Sequence, residues 1–205
     1  MVKLTDKKIP VKVVQVTNIH GEKKIGVMLD LSYYLGEETN LDQKVQVFRD
    51  LYLCTVMKAR KIFYGQDKGE TKKYRDLPSS TYWMLGDVLS QFNDEIENEF
   101  IITNYAVALE RDFGLSRGYV HELLKFVKLF KQNEVLDLIP MSYYRVLMRK
   151  RSQLEKLGIF EREKVQLLNI GRQDKLPGRE NYKRELAHLT LCLSSTRESI
   201  GKSLK

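Results

Sequence analysis

The chain has 205 residues, 42 % of them hydrophobic, which supplies a core for one medium domain and excludes wholesale disorder. Its 35 lysines and arginines exceed its 27 acids for a formal net charge of +8, a field that draws polyanions, of which DNA and RNA are the commonest in a cell. No apolar run approaches the roughly 20 residues of a membrane span, and residues 1–8 lack the apolar stretch of a secretory leader. The expectation is a cytoplasmic, nucleoid-associated protein with no membrane partner.

In chain order, residues 11–30 read as a β-hairpin. Val11, Val13, Val14 and Val16 are β-branched, Ile25, Val27 and Leu29 alternate, and Asn18-Ile-His-Gly-Glu22 between them is turn chemistry. One hairpin is marginal alone and must pack on helices or on another chain. From Leu41 to Tyr64 the period becomes helical, through Val45, Phe48, Tyr52, Val56 and Ala59, with Asn40 as N-cap. Residues 65–78 read as a basic linker whose Lys68, Lys72, Lys73 and Arg75 are solvated or touch phosphate. A second helix is expected from Tyr82 to Phe100, opened by Pro78-Ser-Ser-Thr81, with Leu85, Leu89, Phe92 and Ile96 inward and Trp83 in the core. Its acidic face, Asp94, Glu95, Glu97 and Glu99, points away from any nucleic acid. Cys54 and Cys192 sit in apolar helical segments without CxxC spacing, and are expected as buried thiols.

Residues 104–130 carry the functional reading. A short helix ends at Phe113, and Gly114 follows where a helix C-terminus needs positive φ. Leu115 turns inward and Ser116 caps the next helix, which buries Val120, Leu123 and Leu124. Two helices joined by a short turn containing glycine define a helix-turn-helix. Glu110 departs from the pattern, standing where the first helix usually carries a small residue; either it angles outward or the pairing of the two helices is looser than usual. In such a motif the second helix enters the major groove N-terminus first. The expected base-reading residues are therefore Arg117, Gly118, His121, Glu122 and Lys125. Arg117 suits guanine, Glu122 suits cytosine N4, and Gly118 permits close approach. His121 has no second ligand nearby, and neither a metal nor another cofactor is expected.

Ile139-Pro140-Met-Ser142 reads as the end of one short helix and the cap of another. Arg145, Arg149, Lys150 and Arg151 then crowd seven positions, and residues 117–151 hold eight basic against three acidic groups. Ser116, Lys128, Arg145, Arg149, Lys150 and Arg151 are the expected phosphate contacts.

At Leu115-Ser-Arg-Gly-Tyr-Val120, Leu123-Leu124 and Leu129, the segment resembles the helix-turn-helix of ParB/KorB-type plasmid and chromosome partition proteins. Arg145-Val-Leu-Met148 resembles the Arg-x-Leu-Leu element of a later helix in that family. The likeness spans roughly residues 104–150. The family's nucleotide-binding arginine motifs are not visible in residues 1–100, so the resemblance implies DNA contact and no nucleotide activity.

Beyond it, a helix from Phe160 to about Gly171, a basic loop to Asn181 and a last helix from Tyr182 are expected. Leu186, Leu189, Leu193 and Ile200 on that last helix either complete the core or form a two-fold dimer contact. No Gly-x4-Gly-Lys phosphate loop, Gly-x-Ser-x-Gly elbow or His-Glu-x-x-His zinc pair occurs. Glu22-Lys-Lys24, Glu70-Thr-Lys72, and Asp30, Glu37, Glu38 and Asp42 with Lys44 leave a metal-dependent nuclease as one alternative. A protein-interaction module is another. The leading expectation is a mainly α chain with a small N-terminal β-hairpin, divided as 1–78, 79–158 and 159–205. It is read as non-enzymatic, binding double-stranded DNA as a homodimer, as a transcriptional regulator or partition-type factor.

Overall fold

The computed structural model describes residues 8–18, 21–32, 40–64 and 77–203, with the backbone alone from 196 onward. Among these residues the protein is mainly α, with seven α-helices and a three-stranded sheet near the N-terminus. The chain forms two compact units, Met1–Lys73 with Met84–Leu124, and Tyr74–Trp83 with Lys125–Lys205.

In the first unit, β1 (Ile9–Thr17) pairs antiparallel with β2 (Lys23–Leu29), Val13 opposite Val27. The turn between them is closed by Asn18, whose carboxamide accepts from the Glu22 N–H at 2.9 Å and donates to the Glu22 carboxylate at 2.8 Å. Gly21 takes φ +78°, which its missing Cβ permits. A third strand, β3 (Phe100–Ile102), lies parallel to β1 with Ile9 opposite Phe100, giving the order β2-β1-β3. The sequence reading ran the second helix through Phe100; α2 (Ser79–Ile96) stops four residues earlier, and Phe100 is strand. Three residues are too few to show a period of two, so only pairing with β1 reveals the strand.

Helix α1 (Leu41–Tyr64) buries Phe48, Tyr52, Val56 and Ala59 at the expected spacing. Phe48 and Tyr52 meet Phe92 of α2, Phe100 of β3 and Phe113 of α3 (Tyr105–Phe113), with ring centroids 5.0–6.1 Å apart. Offset and edge contacts of this kind add to the area they bury. Cys54 lies on the exposed side of α1, not in the core as expected. The apolar run 51–57 is longer than one helical face, and Cys54 and Met57 fall outside the stripe.

The second unit gathers the first residues of α2, the end of α4 (Arg117–Leu129), α5 (Met141–Lys156), α6 (Phe160–Arg172) and α7 (Arg179–Ser203). Phe126, Phe130 and Tyr144 form its aromatic centre, with centroids 5.0–5.3 Å apart. The start of α2 is tied in by Ser79 Oγ, which donates to the Ile139 carbonyl at 2.6 Å, and by Ser80, whose N–H and Oγ donate to Asp137 at 2.8 and 3.0 Å. Trp83 is half-buried rather than core, and its indole N–H donates to the Phe130 carbonyl at 2.7 Å.

Several expected boundaries move. Helix α5 is capped by Pro140 and already includes Ser142. Helix α6 runs past Gly171, which is buried against Ile139, where a Cβ would collide with that side chain. Gly171 therefore marks a close approach in the last turn of α6, which ends at Arg172, within a residue of where it is expected. Helix α7 starts at Arg179, three residues before the expected Tyr182, and Cys192 on it is exposed, with its Sγ 3.6 Å from a His188 ring nitrogen. No described helix is long and apolar enough to cross a membrane.

Candidate nucleic-acid interface

Helix α3 is held by polar contacts at both ends. Before it, Thr103 N–H donates to the Val11 carbonyl at 2.9 Å, and Thr103 Oγ donates to Asp30 at 2.6 Å. That hydrogen bond leads the causes that hold the Asp30 carboxyl below its usual range. Asn104 then mimics a strand, accepting from the Val13 N–H at 3.0 Å and donating to the Val13 carbonyl at 2.6 Å. At the far end Asp112 is 4 % exposed. Its carboxylate accepts a two-pronged contact from Arg111 at 2.6 and 2.7 Å and the Tyr52 hydroxyl at 2.8 Å. Burial, and then the Asp112 charge, push the Tyr52 phenol far up, so it serves as a donor. The Asp112 carbonyl accepts from Arg60 at 3.1 and 3.2 Å. A buried charge with these partners orients α3 on α1, and Arg111 also donates to the Val13 carbonyl of β1 at 3.3 Å. Sequence reasoning missed this network. Its only trace was an acid, Asp112, between two core positions.

Helix α3 ends at Gly114, left-handed at φ +66°, whose N–H reaches the Glu110 carbonyl at 3.0 Å. Leu115 is 3 % exposed and plugs the turn. Ser116 precedes α4, and its Oγ accepts from the Tyr119 N–H at 3.3 Å. Ala108, Leu109, Leu115, Val120 and Leu123 are buried between these elements, while Glu110 faces solvent, as its size requires.

On the leading turns of α4, Arg117, Gly118 and His121 are exposed and Glu122 is half-buried. Around Gly118 nothing lies within 4 Å of where a Cβ would stand. Beside Arg117, the Tyr105 phenol is raised by burial, and its hydroxyl meets Asn93 at 3.3 Å. Lys125 belongs to the second unit, where its ammonium donates to the Met148 carbonyl at 2.9 Å. Lys125 is itself exposed, so the bond is made at the surface of that unit.

Of the expected phosphate contacts, Ser116 is exposed in the first unit, and Lys128, Arg145, Arg149, Lys150 and Arg151 belong to the second. Lys128 and Arg149 are exposed; Arg145, Lys150 and Arg151 are half-buried. Arg151 pairs with Glu155 at 2.6 Å, and Lys150 donates to Gln153 at 3.0 Å. The loop cations Lys68, Lys72, Lys73 and Arg75 lie outside the described residues.

For the nuclease alternative, Glu37, Glu38, Glu70 and Lys72 also lie outside them. Glu22 closes the hairpin turn, and Lys44 pairs with Glu99 at 3.0 Å. Among the described residues no group of three or more His, Cys, Asp or Glu is arranged to hold a metal ion. No family model, curated protein or solved structure matches the chain.

Proposed function

We propose that the protein recognises sequences in double-stranded DNA, inserting the start of α4 into the major groove, as a regulator or partition-type factor. The observation that supports this is the contrast across one short helix. Leu115, Val120 and Leu123 are buried, and Arg117, Gly118 and His121 project outward from a turn set by Gly114 and Ser116. An exposed arginine and a glycine in the first turn of a helix suit approach to base edges and phosphates.

Helix α7 supports a homodimer as part of this proposal, since Leu191 is 68 % exposed and Leu189 and Leu193 are half-buried on it. A dimer would read two half-sites about 34–36 Å apart. Selection of bound fragments from random DNA should return one motif, arranged as an inverted repeat. Affinity for that motif should fall steeply with salt, at a logarithmic slope of about −0.9 per phosphate neutralised. Enrichment of no sequence, with equal retention of all duplexes, would contradict base reading. Cleavage of plasmid with Mg²⁺ would favour the nuclease.

A further inference from the structure

We infer that a cleft between α5 and α7, inside the second unit, is a clamp for backbone phosphates of the bound duplex; this rests on the DNA-binding reading above. The cleft holds about 230 Å³ and is lined by Ser142, Arg145, Arg149 and Lys150 of α5 and by Arg179, Glu180 and Lys183 of α7. Ligand pockets commonly run from about 300 to 1,000 Å³, so this one has room for a phosphate group rather than a whole nucleotide.

The helical period makes the cleft cationic. Ser142, Arg145 and Arg149 recur at steps of three and four along α5, which puts them on one stripe. Arg179 and Lys183 are four apart on α7. Five cations thus line one concavity with one carboxylate, Glu180. Glu180 is held below its usual range chiefly by the hydrogen bond from Arg179, at 2.8 Å, and lies 3.5 Å from Lys183. Like charges gathered this way repel one another, and an anion relieves the repulsion. Ser142 lies in the first turn of α5, and Arg179 and Glu180 in the first turn of α7, so two helices bring positive ends to the cleft.

The walls are braced from behind. Tyr143 donates to the Pro177 carbonyl at 2.5 Å and packs on Tyr182 with ring centroids 5.6 Å apart. These contacts fix the register of α5 on α7, as a site that grips without rearranging requires.

Two variants of the full chain test this by fluorescence anisotropy of a labelled duplex carrying the selected motif, across a salt series. The double variant Arg179→Gln, Lys183→Gln should lower affinity for every duplex alike, leave the base preference unchanged, and flatten the salt slope by about one for each cation lost. Glu180→Gln frees two cations from their carboxylate and should tighten binding several-fold at low salt, a gain that misfolding cannot imitate. If wild type binds in a salt-dependent way and both variants keep its affinity and slope, the clamp is refuted and the helix-turn-helix reading stands. If wild type binds no duplex at any salt, both fall. If inorganic pyrophosphate raises the melting temperature of wild type but not of the double variant, while duplex binding is the same in both, the cleft serves a free phosphate compound and the clamp is again refuted.

Discussion

Arg117 and Gly118 stand side by side on the first turn of α4, and their predicted roles separate in measurement. Arg117 is exposed, so Arg117→Ala should leave stability nearly unchanged. It should cost about 1–3 kcal/mol of affinity for the selected motif and erase discrimination at one base position. A uniform loss over all sequences, read by competition binding, would reassign it to phosphate. Gly118 gives a sharper test. A glycine inside a helix costs about 0.5–1 kcal/mol relative to alanine, and a Cβ at Gly118 would meet nothing within 4 Å. Internal packing therefore gives no reason for a glycine there. Gly118→Ala, in the first turn of α4, should raise the unfolding free energy by no more than about 0.5–1 kcal/mol while weakening DNA binding, since in the proposed complex the added methyl would meet the groove wall. Binding unchanged in a stabilised variant would remove Gly118 from the interface.

At the scale of elements, the turn between α3 and α4 joins the two helices. Gly114 at φ +66° occupies backbone space that a branched side chain reaches only under strain. Gly114→Val should cost about 1–3 kcal/mol, and Ser116→Ala about 0.5–2 kcal/mol through loss of the cap. Thermal unfolding measures both. These two positions were legible because glycine after a helix and serine before one are local chemistry. The helical stripes of α1 and α2 were legible for the same reason, since a period of 3.6 needs no partner to be seen. What escaped the sequence was set by contacts distant along the chain. Strand β3 exists only against β1. Asp112 is held in the interior by Tyr52 and Arg60 of α1, which bond its carboxylate and its carbonyl. Gly171 is legible as the neighbourhood of a helix end, but its close approach to Ile139 is not. The exposed cysteines show the converse: apolar neighbours in sequence do not place a residue on the buried face. Within the candidate interface, the leading face of α4 followed from spacing. The engagement of Lys125 with Met148 did not, because it joins α4 to a carbonyl 23 residues away.

For the molecule as a whole, pH is the available lever, and the second unit contains a buried ion pair that responds beside the more exposed Asp30 and Glu180. Lys164 is 6 % exposed. Its ammonium meets Glu134 at 2.9 Å, the carbonyl of Leu129, the last residue of α4, at 3.1 Å, and Glu161 at 3.5 Å, 5.4 Å from the Phe130 ring centroid. A cation on the last carbonyl of a helix satisfies an orphan acceptor and opposes the dipole. Glu134 also accepts from the Lys131 N–H at 2.7 Å. Burial alone would raise the Glu134 carboxyl. The hydrogen bonds from Lys164 and Lys131, with their charges, outweigh it and hold the group below 4.5. A folded-state value below the unfolded one adds stability that is complete above about pH 4.5 and lost as pH falls through the folded value. Stability should therefore be level with respect to this group from neutrality to about pH 5, and decline below it. Glu134→Gln keeps the shape but removes the charge, leaving a buried ammonium with weaker partners. It should cost about 1–3 kcal/mol at pH 7 and make the acid decline shallower. Urea unfolding of both proteins between pH 7 and 3 decides the matter: parallel curves would show that the ion pair does not anchor the end of α4, and convergence at low pH is the expected result.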